Sequence, residues 1–273
     1  MERNSARHAH RPAKGQDEPV TDPPALVLPT TGPDPIPVDT AVAAVLGYAR
    51  GRRPLWFRSF DRPQGHWVEL PAFGWTRYDT LPTGPDGDDD ILLGEGLHGR
   101  LDRPGWADVR QSLDAVAPLA TAADERAGGQ PFWELPDDEL SVLGEPGTVG
   151  AAFREIDRAS GAHPGHVRAI LHHQRPALVP HLTRSTRRAL LPHTHEGDSG
   201  VEAVVHRELR VNADAFSHLE DRVAALLGDA RPTRLRLHDI LLWLATTLRL
   251  AHAVALGTAT PEWQCHLAAV TPR

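Results

Sequence analysis

Apolar residues between positions 234 and 256 recur at spacings of three and four, the period of a helix with one buried face. The pattern is made by Leu237, Ile240, Leu241, Leu244, Leu248, Ala251 and Val254 with Ala255. Gly257 follows and can end such a helix. A stripe of this length needs other elements to cover it. We therefore predict a central core helix over 234–256 within a mostly α-helical fold.

Other segments carry weaker helix signals. The stretch 38–51 is apolar, with Asp39 near its start and a glycine at its end. Three aspartates at 88–90 form an acidic first turn, which interacts favourably with a helix dipole and predicts a helix there. Pro104 is suited to the first position of a second helix, predicted over 104–116. Further helices are predicted near residues 146–160, 165–174, 182–190, 200–210 and 212–228.

The N-terminal region has a different composition. Residues 1–37 contain eight prolines and no aromatic residue, so they bury too little apolar surface to offset the entropy of ordering. We predict a disordered tail over 1–37 and a single mostly helical domain over 38–273. The tail lacks the apolar core of a signal peptide, and Cys265 is the single cysteine. These features predict a cytoplasmic protein, and the apolar runs are too short for a membrane span.

Aromatic residues concentrate between residues 54 and 78, among prolines and glycines: Trp56, Phe57, Phe60, Trp67, Phe73, Trp75 and Tyr78. Weak alternation in LWFRSF and HWVEL favours short strands or an ordered irregular region. Core packing is the expected role of these rings. Two alternatives stay open, because exposed rings stack on nucleic-acid bases and also pack against partner proteins.

The distribution of lysine excludes several kinds of catalysis. Lys14 is the only lysine and lies in the predicted tail, so the folded part lacks the lysine of phosphate-binding loops, Schiff-base enzymes and kinases. The motifs G-x-S-x-G and H-E-x-x-H are absent. Residues 94–99 match G-x-G-x-x-G, but aspartates precede their short apolar run and Pro104 follows. We interpret these glycines as a helix end and a turn, and we predict no bound cofactor.

The segment from Arg158 to His195 is rich in positive charge. It holds six arginines, seven histidines and no acidic residue, whereas the whole chain carries −7 and the residues outside the segment carry −13. Basic surfaces attract phosphate groups, and the guanidinium fork matches a phosphate with two hydrogen bonds. The segment therefore predicts a surface that binds an anion such as a nucleic acid or another polyanion.

Helical spacing divides these side chains into two stripes. One lies on the predicted helix 165–174 at i, i+4 and i+7, and the other lies on the next helix at i, i+3 and i+4. The candidate anion-binding residues are Arg168, His172, Arg175, Arg184, Arg187 and Arg188. In a second interpretation, which stays open, the arginines pair with acids of the chain, such as those at 88–90 or 137–139. Bound nucleic acid would be held more tightly near pH 6 than near pH 8, because histidines gain charge.

Two histidines at the end of this segment are weak candidates for metal ligands. His193 and His195 are two residues apart and would point the same way in an extended strand, with Glu196 and Asp198 close by. The surrounding LPHTHEGDSG stretch is typical of an exposed loop between helices, where histidines are normally solvated. We therefore predict no metal site.

Four short landmarks between residues 73 and 245 resemble a known family. They are FGWTRYDTL from Phe73, DDDIL from Asp88, RPALVP from Arg175 and LHDILLW from Leu237. In this order they resemble the actinobacterial family called domain of unknown function 6308. The motif of that family has a lysine before the Arg-Pro pair and an aspartate after the second proline, a layout distantly similar to helix-hairpin-helix DNA glycosylases.

The resemblance implies a helical fold and a link to nucleic acid. Ala169 and Thr183 occupy the lysine and aspartate positions, so it also argues against glycosylase activity in this chain. The favoured hypothesis is a non-catalytic protein that binds an anion or nucleic acid through 158–195. One alternative is a protein–protein interaction module that uses the aromatic region 54–78. Another is a degenerate glycosylase-like protein or other hydrolase, which would need acid and base groups converging in one cleft.

Overall fold

A computed structural model describes residues 24–74, 78–80, 88–143, 146–228 and 232–270, with backbone only at 88–89 and 268–270. Eleven α-helices and two small antiparallel sheets make up these residues, which confirms the predicted mostly α-helical class. The observed helices match closely the predicted ones near 146–160, 165–174, 200–210 and 212–228.

The helices follow one another along the chain as α1 Val38–Arg50, α2 Asp88–His98, α3 Arg103–Ala127, α4 Val149–Ala159, α5 Pro164–Gln174, α6 Arg184–Leu190, α7 Val201–Val211, α8 Ala213–Leu227, α9 Arg234–Thr246, α10 Leu250–Thr258 and α11 Pro261–Val270. The strands are β1 Ala25–Leu26, β2 Ile36–Pro37, β3 Arg52–Ser59 and β4 Arg62–Pro71. Short 3₁₀ helices lie at Pro29–Thr31, Phe132–Glu134, Asp137–Leu140 and Leu191–His193.

Helix α1 forms the centre of the core. Every residue from Ala41 to Ala49 is buried, so the helix has no polar face of the kind that surface helices carry. It packs against α8, α9 and α10. The apolar stretch after Val38 thus forms the predicted helix, and tertiary packing covers it on all sides.

The predicted boundary between tail and domain at residue 38 is wrong for residues 24–37. Strands β1 and β2 pair there, and Leu26, Leu28 and Ile36 are buried in the core. The segment is held to α7 by the Asn212 side chain, which accepts from the Val27 N–H at 2.6 Å and donates to its carbonyl at 2.8 Å. Prolines do not prevent this, because few backbone hydrogen bonds are needed in two-residue strands. The rest of the predicted tail, residues 1–23, lies outside the described residues.

The predicted single helix 234–256 is broken into α9 and α10, which meet at an angle of 115°. The hydroxyls of Thr246 and Thr247 donate to the Trp243 carbonyl at 3.2 and 2.7 Å, so side chains compete with the helical backbone at this point. Leu248 then adopts a left-handed φ of 58° and is 93% exposed. No single helix of the described residues is long and apolar enough to cross a membrane, although α9 and α10 together pass by length and composition.

Glycines 94–99 belong to a helix end, as predicted. Gly94 and Gly96 lie within α2, and Gly99 ends it with a φ of 89°. Asp102 then begins α3 by accepting from the Gly105 N–H at 2.8 Å. This helix continues through Pro118 to Ala127 and is therefore longer than the predicted helix 104–116.

The expectation that the aromatic region 54–78 packs into the core is wrong for most of its rings. Strands β3 and β4 form a hairpin whose rings are largely exposed, with Trp56 at 45%, Phe57 at 47%, Trp67 at 65% and Phe60 at 103%. Both faces of this hairpin lack a covering layer among the described residues. Only the end of the region, at Phe73 and Tyr78, is buried, while Trp75 lies outside the described residues.

Candidate functional site

The predicted basic stripe on α5 is not exposed. Arg168 is 2% exposed and His172 is 3% exposed, so both side chains lie inside the protein. The Tyr78 ring stacks on the His172 ring at a centroid distance of 6.3 Å, and His172 Nδ1 lies 2.6 Å from the Val179 carbonyl oxygen. The candidate residues of α5 and α6 therefore do not share one exposed face, because α5 is buried where its stripe lies.

Two of the predicted arginines form a cluster with two carboxylates. Arg168 donates from Nε to Asp157 Oδ1 at 2.9 Å and from Nη2 to Glu202 Oε1 at 3.0 Å. Arg187 donates from Nη2 to the same two residues, at 2.6 and 3.2 Å. The cluster joins α4, α5, α6 and α7, and its formal charges cancel. The Nη1 atom of Arg168 is buried and has no hydrogen-bond partner among the described residues.

Arg175 lies apart from this cluster. Its Nε atom bonds a carboxylate oxygen of Asp124 on α3, and its Nη1 atom donates to the Gln174 side-chain oxygen at 3.2 Å. Pairing with acids of the chain therefore accounts for Arg168, Arg175 and Arg187. The acidic partners that the structure describes belong to α3, α4 and α7, whereas the sequence suggested residues 88–90 or 137–139.

Arg184 and Arg188 are the two exposed arginines of α6. They lie one helical turn apart, and no ion pair joins either of them to a carboxylate of the described residues. Thr183 begins this helix by accepting from the Thr186 N–H at 3.2 Å. Of the two arginines, Arg184 lines a cleft between α5 and α6, and Arg188 does not.

The cleft has a volume of about 530 Å³. Its wall contains the first turn of α5, from Pro164 to His166, together with the buried Arg168 and the exposed Arg184. No side chain caps the start of α5, so the backbone N–H groups of its first turn lack a side-chain acceptor. Because Asp157 and Glu202 neutralise the other two arginines, the excess positive charge of the cleft comes from Arg184 and this helix end.

A chain of hydrogen bonds runs from the cleft into the core. His98 of α2 lines the cleft, and its Nε2 atom lies 3.1 Å from Nε2 of His181. His181 Nδ1 in turn lies 2.8 Å from Oδ2 of Asp239 on α9. We call these three residues the relay. His98 fits closely against α5 because Gly165 has no side chain, and a Cβ atom there would lie 2.8 Å from His98 Nδ1.

Arg236 and Asp79 hold the inner end of the relay. Arg236 donates from Nε and Nη2 to the two carboxylate oxygens of Asp79, at 2.6 and 3.0 Å, and its Nη1 bonds Asp239 Oδ2. Its Nη2 also donates to the Tyr48 hydroxyl at 2.9 Å. Burial opposes the charge of Arg236, but the carboxylate of Asp79 and the other acidic groups outweigh it and raise its pKa. Ion pairing therefore fixes the position of Asp239.

The charge states along the relay follow from burial and neighbours. Burial, followed by the nearby rings of His181 and His166, lowers the pKa of His98 to about 3. Burial alone would raise the pKa of Asp239, but His181 and Arg236 outweigh it and bring that pKa to about 2. At neutral pH His98 is therefore neutral and Asp239 is ionised. A neutral imidazole connected by hydrogen bonds to an ionised carboxylate is suited to moving protons.

A second cavity, of about 120 Å³, borders the inner part of the relay. Its lining includes His181 and Asp239 together with Thr183, which occupies the aspartate position of the family motif. The Oδ1 atom of Asp239 is buried there without a hydrogen-bond partner among the described residues. Ala169, at the lysine position, lies in α5, and its carbonyl accepts from the Tyr78 hydroxyl at 2.6 Å.

His193 and His195 are separate from both cavities of the relay. The His193 carbonyl accepts from Arg207 Nη2 at 2.9 Å, and the His195 N–H donates to Asp198 Oδ2 at 2.7 Å. These contacts involve backbone atoms and shape the turn. Across the part of the chain that the structure describes, no group of three or more His, Cys, Asp or Glu residues is arranged to hold a metal ion.

The sequence pattern does not single out the relay. His98 and His181 are 83 positions apart in the chain, and His181 and Asp239 are 58 apart, so helical spacing cannot reveal their contacts. One signal is present in the sequence, since His238 and Asp239 interrupt the apolar stripe of α9. Both are buried, at 1% and 2% exposure, and buried polar pairs of this kind need partners elsewhere in the fold.

Comparisons with family models, with curated proteins and with solved structures each found no match. The resemblance of residues 73–245 to domain of unknown function 6308 therefore stays a prediction.

Proposed function

We propose that this chain binds a phosphate-bearing ligand in the cleft between α5 and α6. The observation that carries the proposal is the guanidinium of Arg184, which is exposed on the cleft wall and has no carboxylate partner among the described residues. Beside it lies Arg168, whose buried Nη1 atom has no hydrogen-bond partner among those residues either. Leaving a buried guanidinium N–H unpaired is unfavourable, by about 1–3 kcal/mol. An anion bound at Arg184 would lie beside this guanidinium on the cleft wall.

The charge of the cleft supports an anionic ligand. Arg184 has no carboxylate partner among the described residues, and the uncapped first turn of α5 adds the partial positive charge of a helix N-terminus. The cleft volume of about 530 Å³ falls within the range of small-molecule sites, about 300–1,000 Å³. Of the six predicted candidates, Arg168, Arg184 and Arg187 line this cleft, and His172, Arg175 and Arg188 do not.

Titration calorimetry with inorganic phosphate tests this proposal, using Arg184→Ala and the matched variant Arg188→Ala. We expect Arg184→Ala to weaken phosphate binding at least about tenfold, the effect of losing one charged hydrogen bond. Arg188→Ala should bind like the unchanged protein, because Arg188 is also exposed but lies outside the cleft. Equal weakening by both variants, or no binding of phosphate, would contradict the proposal.

The same measurement identifies the source of the phosphate group. A 5′-mononucleotide that binds more tightly than inorganic phosphate would indicate a nucleotide ligand. An oligonucleotide that binds more tightly still, with affinity falling steeply as salt rises, would indicate nucleic acid. The salt slope should decrease in Arg184→Ala, whereas Arg187 is already paired with Asp157 and contributes less.

A second candidate function is self-association through the β3–β4 hairpin. An isolated two-stranded hairpin is marginally stable in water, yet this one exposes four aromatic rings. Residues 52–71 hold four arginines against Asp61 and Glu69, so the hairpin carries +2 and the rest of the chain −9. This charge complementarity favours the body of a second copy of the chain as the surface that covers the rings.

Sedimentation equilibrium over a range of protein concentrations tests self-association. We expect dimers that weaken when Phe60 and Trp67 are both changed to Ser, because those rings are 103% and 65% exposed. Leu143→Ser is the control, since Leu143 is 87% exposed and lies outside the hairpin. A monomer at every concentration would exclude this function.

A further inference from the structure

We infer that the cleft is a catalytic centre that hydrolyses a phosphate ester, with His98 as the general base and His181 and Asp239 as positioning residues behind it. The inference rests on the proposed binding of phosphate in the same cleft. It begins from the observation that His98 is shared, since it lines the cleft and also forms the outer end of the relay. A candidate base thus lies where the anion would bind.

In the inferred relay, the hydrogen bonds leave Nδ1 of His98 as the nitrogen that acts as the base. Asp239 is ionised, so its Oδ2 accepts from His181 Nδ1–H, and in the inferred relay the Nε2 atom of His181 acts as an acceptor. His98 therefore donates its Nε2–H to His181 across 3.1 Å. In this tautomer the Nδ1 atom of His98 is unprotonated, and it lies on the ring edge that packs against Gly165 in the cleft wall.

A relay of this kind overcomes the main difficulty of a half-buried base, which is that it must accept a positive charge. His98 alone resists a positive charge, because its surroundings disfavour the imidazolium. When Nδ1 takes a proton, the proton on Nε2 can pass to His181, and the positive charge then lies beside the Asp239 carboxylate. The inner ion pair of Arg236 with Asp79 holds that carboxylate in place.

The reaction balances with water as the only co-substrate. A water molecule in the cleft gives one proton to His98 Nδ1, and its oxygen forms a bond to phosphorus. The bond from phosphorus to the ester oxygen breaks, and that oxygen leaves with its electron pair and takes the proton back from His98 Nδ1. The products are an alcohol and a phosphate with one fewer ester bond. Arg184 and the N-terminus of α5 would stabilise the negative charge on the phosphate oxygens.

The groups around His98 determine how activity depends on pH. The charged and titratable groups that act on its pKa are His181, His166, Asp239 and Arg236. Those that line the cleft with it are Asp157, His163, His166, Arg168, Arg184 and Arg187. Because the base must be unprotonated, kcat should fall on the acid side of the profile. Removing the Asp239 charge lowers the proton affinity of the relay. The decrease of kcat on the acid side should therefore occur at lower pH, and the maximal kcat should be smaller.

Hydrolysis of p-nitrophenyl phosphate and bis(p-nitrophenyl) phosphate by the full chain tests the inference. We expect release of p-nitrophenol from at least one of the two esters, and His98→Gln should lower kcat by about 100-fold or more. His98→Gln should still bind inorganic phosphate by calorimetry, because Arg184 and α5 are unchanged. Asp239→Asn should lower kcat with little change in KM. It should also move the acid-side decrease of kcat to lower pH.

The outcomes separate the inference from the proposed function. Phosphate binding without hydrolysis of either ester overturns the catalytic inference and leaves the binding proposal intact. Absence of phosphate binding overturns both. Should a variant fail to fold, the ¹⁵N spectrum of the unchanged protein still decides, because the relay requires His98 to carry its proton on Nε2. A His98 ring protonated on Nδ1 would overturn the relay.

Discussion

Gly47 and Gly257 face each other where α1 crosses α10. A Cβ atom added to Gly257 would lie 2.8 Å from the Gly47 amide nitrogen and 1.8 Å from the Ala43 carbonyl oxygen. A Cβ atom on Gly47 would lie 1.8 Å from the Ala253 carbonyl oxygen. The two backbones approach this closely only because neither glycine has a side chain.

The first prediction concerns this crossing. Gly257→Ala should lower the free energy of unfolding by about 2–3 kcal/mol, since the backbones of two packed helices must separate to admit one methyl group. Urea denaturation measures the effect. Ala255→Val is the control, because Ala255 is exposed on the same helix and its added methyl groups meet solvent. A Gly257→Ala protein as stable as the control would show that the crossing is looser than described.

The crossing shows what the sequence pattern could and could not predict. The apolar runs of α1 and α9 predict helices because their period needs no knowledge of the rest of the chain. Gly257 is predicted as a helix end, yet it lies inside α10 as a contact point for α1. The sequence does not tell whether a glycine is needed to end a helix or to let two helices approach closely. For Gly257 the second reason becomes clear only from the contact with the Ala43 backbone on α1.

The second prediction concerns the cluster around Arg168. Arg168→Met should lower the free energy of unfolding by about 3–5 kcal/mol, because it leaves Asp157 and Glu202 with only one arginine between them. Arg158→Met is the control, since the Arg158–Glu155 pair is 69% and 51% exposed and should matter by less than about 1 kcal/mol. Thermal and urea unfolding of both variants measure the difference. Similar losses in the two would contradict a structural role for the cluster.

The same cluster shows why the candidate site was only partly predictable. Helical spacing places Arg168 and Arg175 on one stripe of α5, but it does not state which side of the helix meets the core. The burial of Arg168 depends on Asp157 of α4 and Glu202 of α7, which approach from distant parts of the chain. Arg184 is exposed, as predicted, because the short helix α6 packs against the core through Thr186 and Leu190 and leaves Arg184 on its outer side.

The third prediction follows from two histidines, of which His98 is half-buried and His172 is buried. Burial is the main cause that lowers the pKa of His98 and of His172, each from 6.5 to about 3. The unfolded chain therefore binds more protons than the folded chain as pH falls below 6.5, so stability should decrease progressively from about pH 6.5 towards pH 3. Both histidines contribute their full stabilisation only above that window.

Urea denaturation at pH 7, 6, 5 and 4 measures this loss. About two protons should be taken up on unfolding near pH 5 on account of these histidines, which sets the slope of stability against pH. His172→Gln should reduce that uptake by about one proton, whatever its effect on stability at pH 7. An unchanged slope in His172→Gln would show that His172 is protonated in the folded protein.

The last prediction concerns the break between α9 and α10. Leu248 holds a left-handed backbone with a φ of 58° and is 93% exposed, so its side chain adds strain and little packing. A left-handed conformation is unfavourable for a residue with a Cβ atom by about 1–2 kcal/mol, whereas glycine adopts it freely. After the greater chain entropy of glycine in the unfolded state is subtracted, Leu248→Gly should raise the free energy of unfolding by about 0.5–1 kcal/mol.

Leu248→Ala keeps the Cβ atom and should not stabilise the protein. A loss of stability in Leu248→Gly would indicate that this turn is held by the leucine side chain and not by the hydrogen bonds of Thr246 and Thr247 to Trp243.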